Sequence, residues 1–172
     1  EGPKPRFSVF TPTTTILDTN KKIIDIICYC LMPNHFHFLL RQKRNGGITE
    51  FVSKLSNSYT KYINTKNNRV GHLLQGNFKA VHVETNEQLL HLSRYIHLNP
   101  LVSYLVKDLD SYKWSSFPEY VNLTDVNKAI CDKKIILDQF KSPGEYKKFV
   151  LDQAGYGKKL EALKHQLLDS DE

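Results

Sequence analysis

Two histidines two residues apart, His35 and His37, fall in the run Met32-Pro33-Asn34-His35-Phe36-His37-Phe38-Leu39-Leu40. The run has the composition of a strand, and side chains two apart leave a strand on one face. His35, His37 and Leu39 therefore point one way, and Phe36, Phe38 and Leu40 the other. Adjacent imidazoles are a pair of nitrogen ligands for a divalent cation, although the same pair on a wetted strand is an ordinary polar face. Tyr95 is the second residue placed to do chemistry. It shares a segment with Leu89, Leu92 and Ile96 at helical spacing, which sets its ring beside an apolar arc and its hydroxyl at a rim. His91 and Asn99, four residues to either side, share its face, whereas His97 points away. A tyrosine so placed is either a packed ring with a wet tip or, beside an activated electrophile, a nucleophile.

The elements that must position these groups follow from spacing and turn signals. Ile23 to Leu31 and His35 to Arg41 read as a β-hairpin turning at Met32-Pro33-Asn34. Gly46-Gly47 breaks the second strand. Ile48, Phe51, Val52, Leu55, Tyr59 and Tyr62 then recur as the apolar stripe of a helix. Asn64 to Gly76 is polar and basic, a loop, and Phe78 to Glu84 alternates as a further strand. Thr85 with Gln88 forms a capping-box start for the helix carrying Tyr95, and Pro100 is expected to stop it. Trp114 to Tyr120 reads as a packed aromatic turn, and Glu145 to Leu168 as helical with a charged tail. The opening stretch, with Pro3, Pro5, Pro12 and a Thr run, is an irregular lead-in. The chain starts at Glu1 without an initiator Met or a leader pattern, and is read as a trimmed sequence.

At 172 residues, 40% hydrophobic and 24% charged, the composition is that of one folded globular domain with extensions. No apolar run approaches the roughly 20 residues of a membrane span. Cys28, Cys30 and Cys131 are too few, and odd in number, for a secreted disulfide framework, so a cytoplasmic location is expected. The net charge of +6 is unevenly spread: eight basic residues and one acid lie between Arg41 and Lys79. Interleaved with Tyr59, Tyr62, His72 and Phe78, that block suits a phosphate backbone and unstacked bases. A solvated basic face is the plainer reading of the same residues.

Three ordered motifs carry a resemblance: the histidine run above, then Gln75-Gly76-Asn77-Phe78-Lys79, then Ser93-Arg94-Tyr95-Ile96-His97-Leu98-Asn99-Pro100. From about Ile23 to Tyr120 the chain resembles the REP-associated tyrosine transposases, among the single-tyrosine transposases of the HUH endonuclease superfamily. The resemblance implies an α+β, ferredoxin-like antiparallel sheet with helices packed on one face. Members usually begin with a further strand and helix, which are not found before Ile23. Residues 1–22 are then a lead-in, 23–120 the transposase domain and 121–172 a helical extension. It further implies that His35 and His37 hold Mg²⁺ or Mn²⁺, that Asn99 completes the metal site, and that Tyr95 attacks DNA. His91 stays open as a substitute for Asn99, because the residue before a proline is biased away from helical backbone. A tyrosine is a poor nucleophile at neutral pH, so the phosphate must be activated, and Mn²⁺ suits imidazole well. Nicking and strand transfer would pass through a 5′-phosphotyrosine. Single-stranded or hairpin DNA is the implied substrate, with Lys79, Arg69, Gln75 and Lys61 as expected contacts and no membrane partner. The protein is expected to be a monomer or a homodimer.

Two alternatives stay open at this level. One is a domesticated hairpin-binding protein that no longer transposes. The other is a structural zinc site of Cys28, Cys30, His35 and His37, since a hairpin turn could set the two pairs opposite one another.

Overall fold

The computed structural model describes residues 22–158. Ile24–Leu31 (β1) and Phe36–Gln42 (β2) form an antiparallel hairpin, paired from Ile24 with Gln42 to Leu31 with Phe36. The register shifts between Ile26 and Cys28, and the bulge brings both Ile27 and Cys28 into the core. Helices Gly47–Lys66 (α1) and Asn86–Val102 (α2) pack against this hairpin. Short helices Phe117–Tyr120 (α3) and Lys134–Leu137 (α4) and the longer Pro143–Leu151 (α5) follow. The expected α+β class is thus observed: a two-stranded antiparallel sheet among the described residues, helices on it, and a helical C-terminal part.

Three local expectations need correction. Pro100 does not stop α2, which runs on to Val102. A proline in the last turn removes only one hydrogen bond of the helix, and Leu105 N–H returns to the Pro100 carbonyl to close the end. Residues 78–84 form no strand; their alternation gives an extended segment, with no backbone ladder to another strand among the described residues. The helix expected from Glu145 to Leu168 ends at Leu151 and resumes over 154–158, and its remainder lies outside the described residues, as does the lead-in up to residue 21. The capping box at Thr85 is formed as expected, with Gln88 N–H donating to Thr85 Oγ1 at 3.1 Å.

Arg41 is drawn into a structural ion cluster. Its guanidinium donates to the buried Asp25 at 2.7 Å and also to Asp132, which fastens the segment before α4 to the hairpin. Lys43 joins Asp25 at 3.2 Å. Arg44 and Lys54 both pair with Glu50. Half of the basic block is therefore spent on acids, while Lys61, Lys66, Arg69 and Lys79 form no ion pair among the described residues.

His97 is the anchor of α2. Its ring is wholly buried, with Nδ1 2.7 Å from the Tyr146 hydroxyl on α5 and Nε2 2.8 Å from Ser116 Oγ. Ser116 Oγ in turn accepts from Tyr29 N–H at 2.9 Å, so one imidazole joins α2, α5, α3 and β1. A neutral ring offers one donor and one acceptor to its two neighbours, whereas a charged ring would offer two donors in an apolar pocket. Burial accordingly pushes the His97 pKa down to about 3. Below pH 6.5 the unfolded chain gains a proton at this ring that the folded chain refuses, so its stabilising contribution is complete above that pH and is lost as the pH falls. Between pH 7 and pH 5 the loss should be about 2 kcal/mol. Urea midpoints at the two pH values should show it in the wild type and much less of it in His97→Gln. Equal losses in both proteins would remove His97 as the source.

Candidate functional site

The turn before β2 orients the first histidine. His35 Nδ1 lies 2.7 Å from Asn34 Oδ1, an acceptor, so Nδ1 carries the hydrogen and Nε2 keeps its lone pair. His37, two residues on, is half-buried, and its Nε2 is enclosed with no hydrogen-bond partner. The two rings meet edge to face with centroids 4.9 Å apart. Burial, and then the neighbouring His35, lower the His37 pKa, which favours the neutral, ligating form.

α2 brings Tyr95 to this pair. Its ring stands edge-on to His37 at 5.5 Å, and the residue is 52% exposed. Asn99 is buried one turn further on, and its Nδ2 donates to the Tyr95 carbonyl at 2.9 Å. That bond fixes the amide and leaves Oδ1 as its free donor atom for a cation. His91 is turned to solvent, with Nδ1 3.0 Å from Arg94 Nη2 and Nε2 3.9 Å from Glu87, and is not joined to the histidine pair. The donor set of two imidazole Nε2 atoms, one of them buried without a partner, fits a divalent cation. The amide oxygen of Asn99 is a third donor of suitable chemistry.

His37, Tyr95 and Lys79 line one cleft of about 950 Å³ between β2, the extended segment 78–84 and α2. Lys61 and Arg69 line a separate hollow beside the end of α1, and Gln75 is exposed on the loop between α1 and α2. His37, Tyr95 and Lys79 thus share one cleft with His35 beside His37, whereas His35 itself, Asn99, Lys61, Arg69 and Gln75 are not among the residues lining it.

The zinc alternative is not assembled. Cys28 and Cys30 are wholly buried in the core, where Cys30 Sγ lies 3.6 Å from Met32 Sδ. Burial pushes the Cys28 thiol well above its ordinary value and the Cys30 thiol up to about 12, which disfavours the thiolates that zinc requires. Among the described residues no three His, Cys, Asp or Glu side chains are grouped to hold a metal.

Two supporting residues, Asn34 and His97, carry no signal of their role in the sequence. Asn34 was visible only as part of the turn, yet it sets the tautomer of His35. His97 was set aside as pointing away from Tyr95, which is true and is the reason it can anchor the helix from behind. Tyr59 and Tyr62, on the apolar stripe and also among the residues suited to unstacked bases, are 52% and 57% exposed. The stripe is buried only near its start, at Val52, because α1 meets the hairpin only near its N-terminal end.

No helix among the described residues is long and apolar enough to cross a membrane. No curated protein and no solved structure matches the chain. A family model described as transposase IS200 like matches residues 14–99, half of the chain. That span takes in the hairpin with both histidines, α1, and α2 as far as Tyr95 and Asn99. The chain belongs to the IS200-like transposase family, whose members bind and recombine DNA.

Proposed function

We propose that this transposase nicks and rejoins single-stranded DNA through Tyr95, with His35, His37 and Asn99 holding Mg²⁺ or Mn²⁺, as in the REP-associated single-tyrosine type. The observation that carries the reading is the enclosed, unpartnered Nε2 of His37, with His35 on one side and Tyr95 on the other. A buried polar atom without a partner is costly, and a ligand completes it.

A divalent cation held by His35, His37 and Asn99 would supply Lewis-acid polarisation of the scissile phosphate. The protein groups do the rest. Lys79, on the rim of the cleft, meets the phosphate charge and draws the strand in. The Tyr95 oxygen forms a bond to phosphorus as the bond from phosphorus to the 3′ oxygen breaks; the proton the phenol gives up is matched by the one the departing oxygen takes up from water to leave as a 3′-hydroxyl. The product is a 5′-phosphotyrosine, which conserves the phosphodiester for a later 3′-hydroxyl to reclaim. His97, through Ser116 and Tyr146, keeps α2, and with it Tyr95, set against the hairpin.

Incubation with a panel of DNA hairpins and Mn²⁺, followed by a denaturing gel, should show a protein–DNA adduct that chelator abolishes. Affinity should be greater for hairpin than for plain duplex and should fall steeply with salt. Absence of any adduct across a broad panel, with hairpin binding intact, would point to the domesticated binding protein instead.

A further inference from the structure

We infer that the outer half of α1 is a second DNA contact, a stacking platform for unpaired nucleobases formed by Tyr59 and Tyr62 with Lys66 on the same face, while Lys61 and Arg69 offer cations from a hollow round the helix. The inference rests on the reading that the substrate presents single-stranded DNA. The inner end of α1 is fixed: Gly47 packs so closely on Ile23 that an added Cβ would sit 2.3 Å from its carbonyl oxygen, and Val52 is buried. Beyond Val52 no residue of α1 is buried. At 1.5 Å per residue, the helix therefore extends roughly 20 Å without entering the core.

This arm is not a polar helix. Leu55, Tyr59 and Tyr62 form an exposed stripe along it, at spacings of four and three residues. Lys66 places its ammonium 5.7 Å from the centre of the Tyr62 ring. Lys61 and Arg69 line a hollow of about 500 Å³ beside the same helix end. The loop that follows is tied to the arm by Asn64, whose amide donates to the Gly71 carbonyl at 2.8 Å. From Phe51 to Val83 the sequence contains no acid, so nothing in this stretch competes for Lys61, Lys66 or Arg69.

The charge selects the occupant. A second copy of this chain would bring the same cations to the face, whereas a nucleic acid strand brings phosphates for the cations and flat bases for the rings. Tyr59 and Tyr62 are not among the residues lining the cleft of His37 and Tyr95. The platform therefore holds DNA flanking the nick and leaves the reacting phosphate to the cleft.

The test is binding without divalent cation, followed by fluorescence anisotropy, of the whole protein to a hairpin with single-stranded tails and to the same DNA with abasic tails. Loss of the tail bases should weaken wild-type binding about 10- to 100-fold. The double variant Tyr59→Ala with Tyr62→Ala should bind the intact DNA that much more weakly and lose little more on base removal. The corresponding Phe pair should restore the wild-type pattern, since a phenyl ring also stacks. An equal abasic penalty in wild type and double Ala variant would overturn the platform. So would a large fall in melting temperature of the DNA-free double Ala variant, which would mean that the face is covered by the chain itself. Failure to bind any tailed hairpin would overturn the nucleic-acid reading as a whole, whereas base-insensitive binding would overturn the platform alone.

Discussion

Tyr95→Phe should abolish the covalent protein–DNA adduct, by at least about a thousandfold, while hairpin affinity stays within a few fold. The substitution removes only the atom that would bond to phosphorus. The ring can keep its edge contact with His37 at 5.5 Å, and because Tyr95 is half exposed the change in stability should stay within about 0.5 kcal/mol. Several other tyrosines are poorly placed to take over. Tyr120 and Tyr146 are wholly buried, with hydroxyls bonded to the Ile27 carbonyl and to His97. Tyr29 is half-buried, and burial pushes its pKa up to about 12. Tyr59→Phe and Tyr62→Phe, whose rings stand outside the cleft, should retain the adduct. An adduct that persists in Tyr95→Phe and disappears in either of these controls would move the nucleophile to α1.

Much of this arrangement is legible in sequence because it depends on local periodicity. The strand alternation around His35 and His37 predicts their shared edge, and the hairpin ends within one residue of its expected limits. Thr85 and Gln88 announce α2 because a capping box is a local hydrogen-bond pattern. What is not legible is decided by neighbours distant in the chain. Period-two alternation at 78–84 gives extended backbone but cannot specify a strand to pair with. The stripe from Ile48 to Tyr62 has the spacing of a buried face, yet the hairpin is too short to cover its second half. His97 gains its role from Ser116 and Tyr146, 19 and 49 residues away, and no motif around it signals either contact. The eight basic residues of the block look equivalent in sequence, and only the positions of Asp25, Asp132 and Glu50 separate the structural ones from those free to meet phosphate.

His35→Ala and His37→Ala should each lower divalent-dependent nicking by at least about a hundredfold and leave the protein folded. Stability is expected to hold because neither ring supports the core. His35 is exposed and bonds only to Asn34, and His37 is half-buried with a ring nitrogen that no protein group satisfies. Truncating His37 thus removes an enclosed, unpartnered nitrogen, and the void is offset by the end of that cost. The paired variant Cys28→Ala with Cys30→Ala separates this from a structural metal. Both thiols are buried, so the pair should lose roughly 1–3 kcal/mol from packing yet keep Mn²⁺-dependent nicking once folded. A catalytic cation needs open positions for phosphate oxygens and is held by few protein groups, so chelation should stop nicking without unfolding the chain. If instead the purified protein carries one zinc per chain, and chelator or the cysteine pair unfolds it, the histidines serve the hairpin as a clip and the proposed catalytic site is wrong.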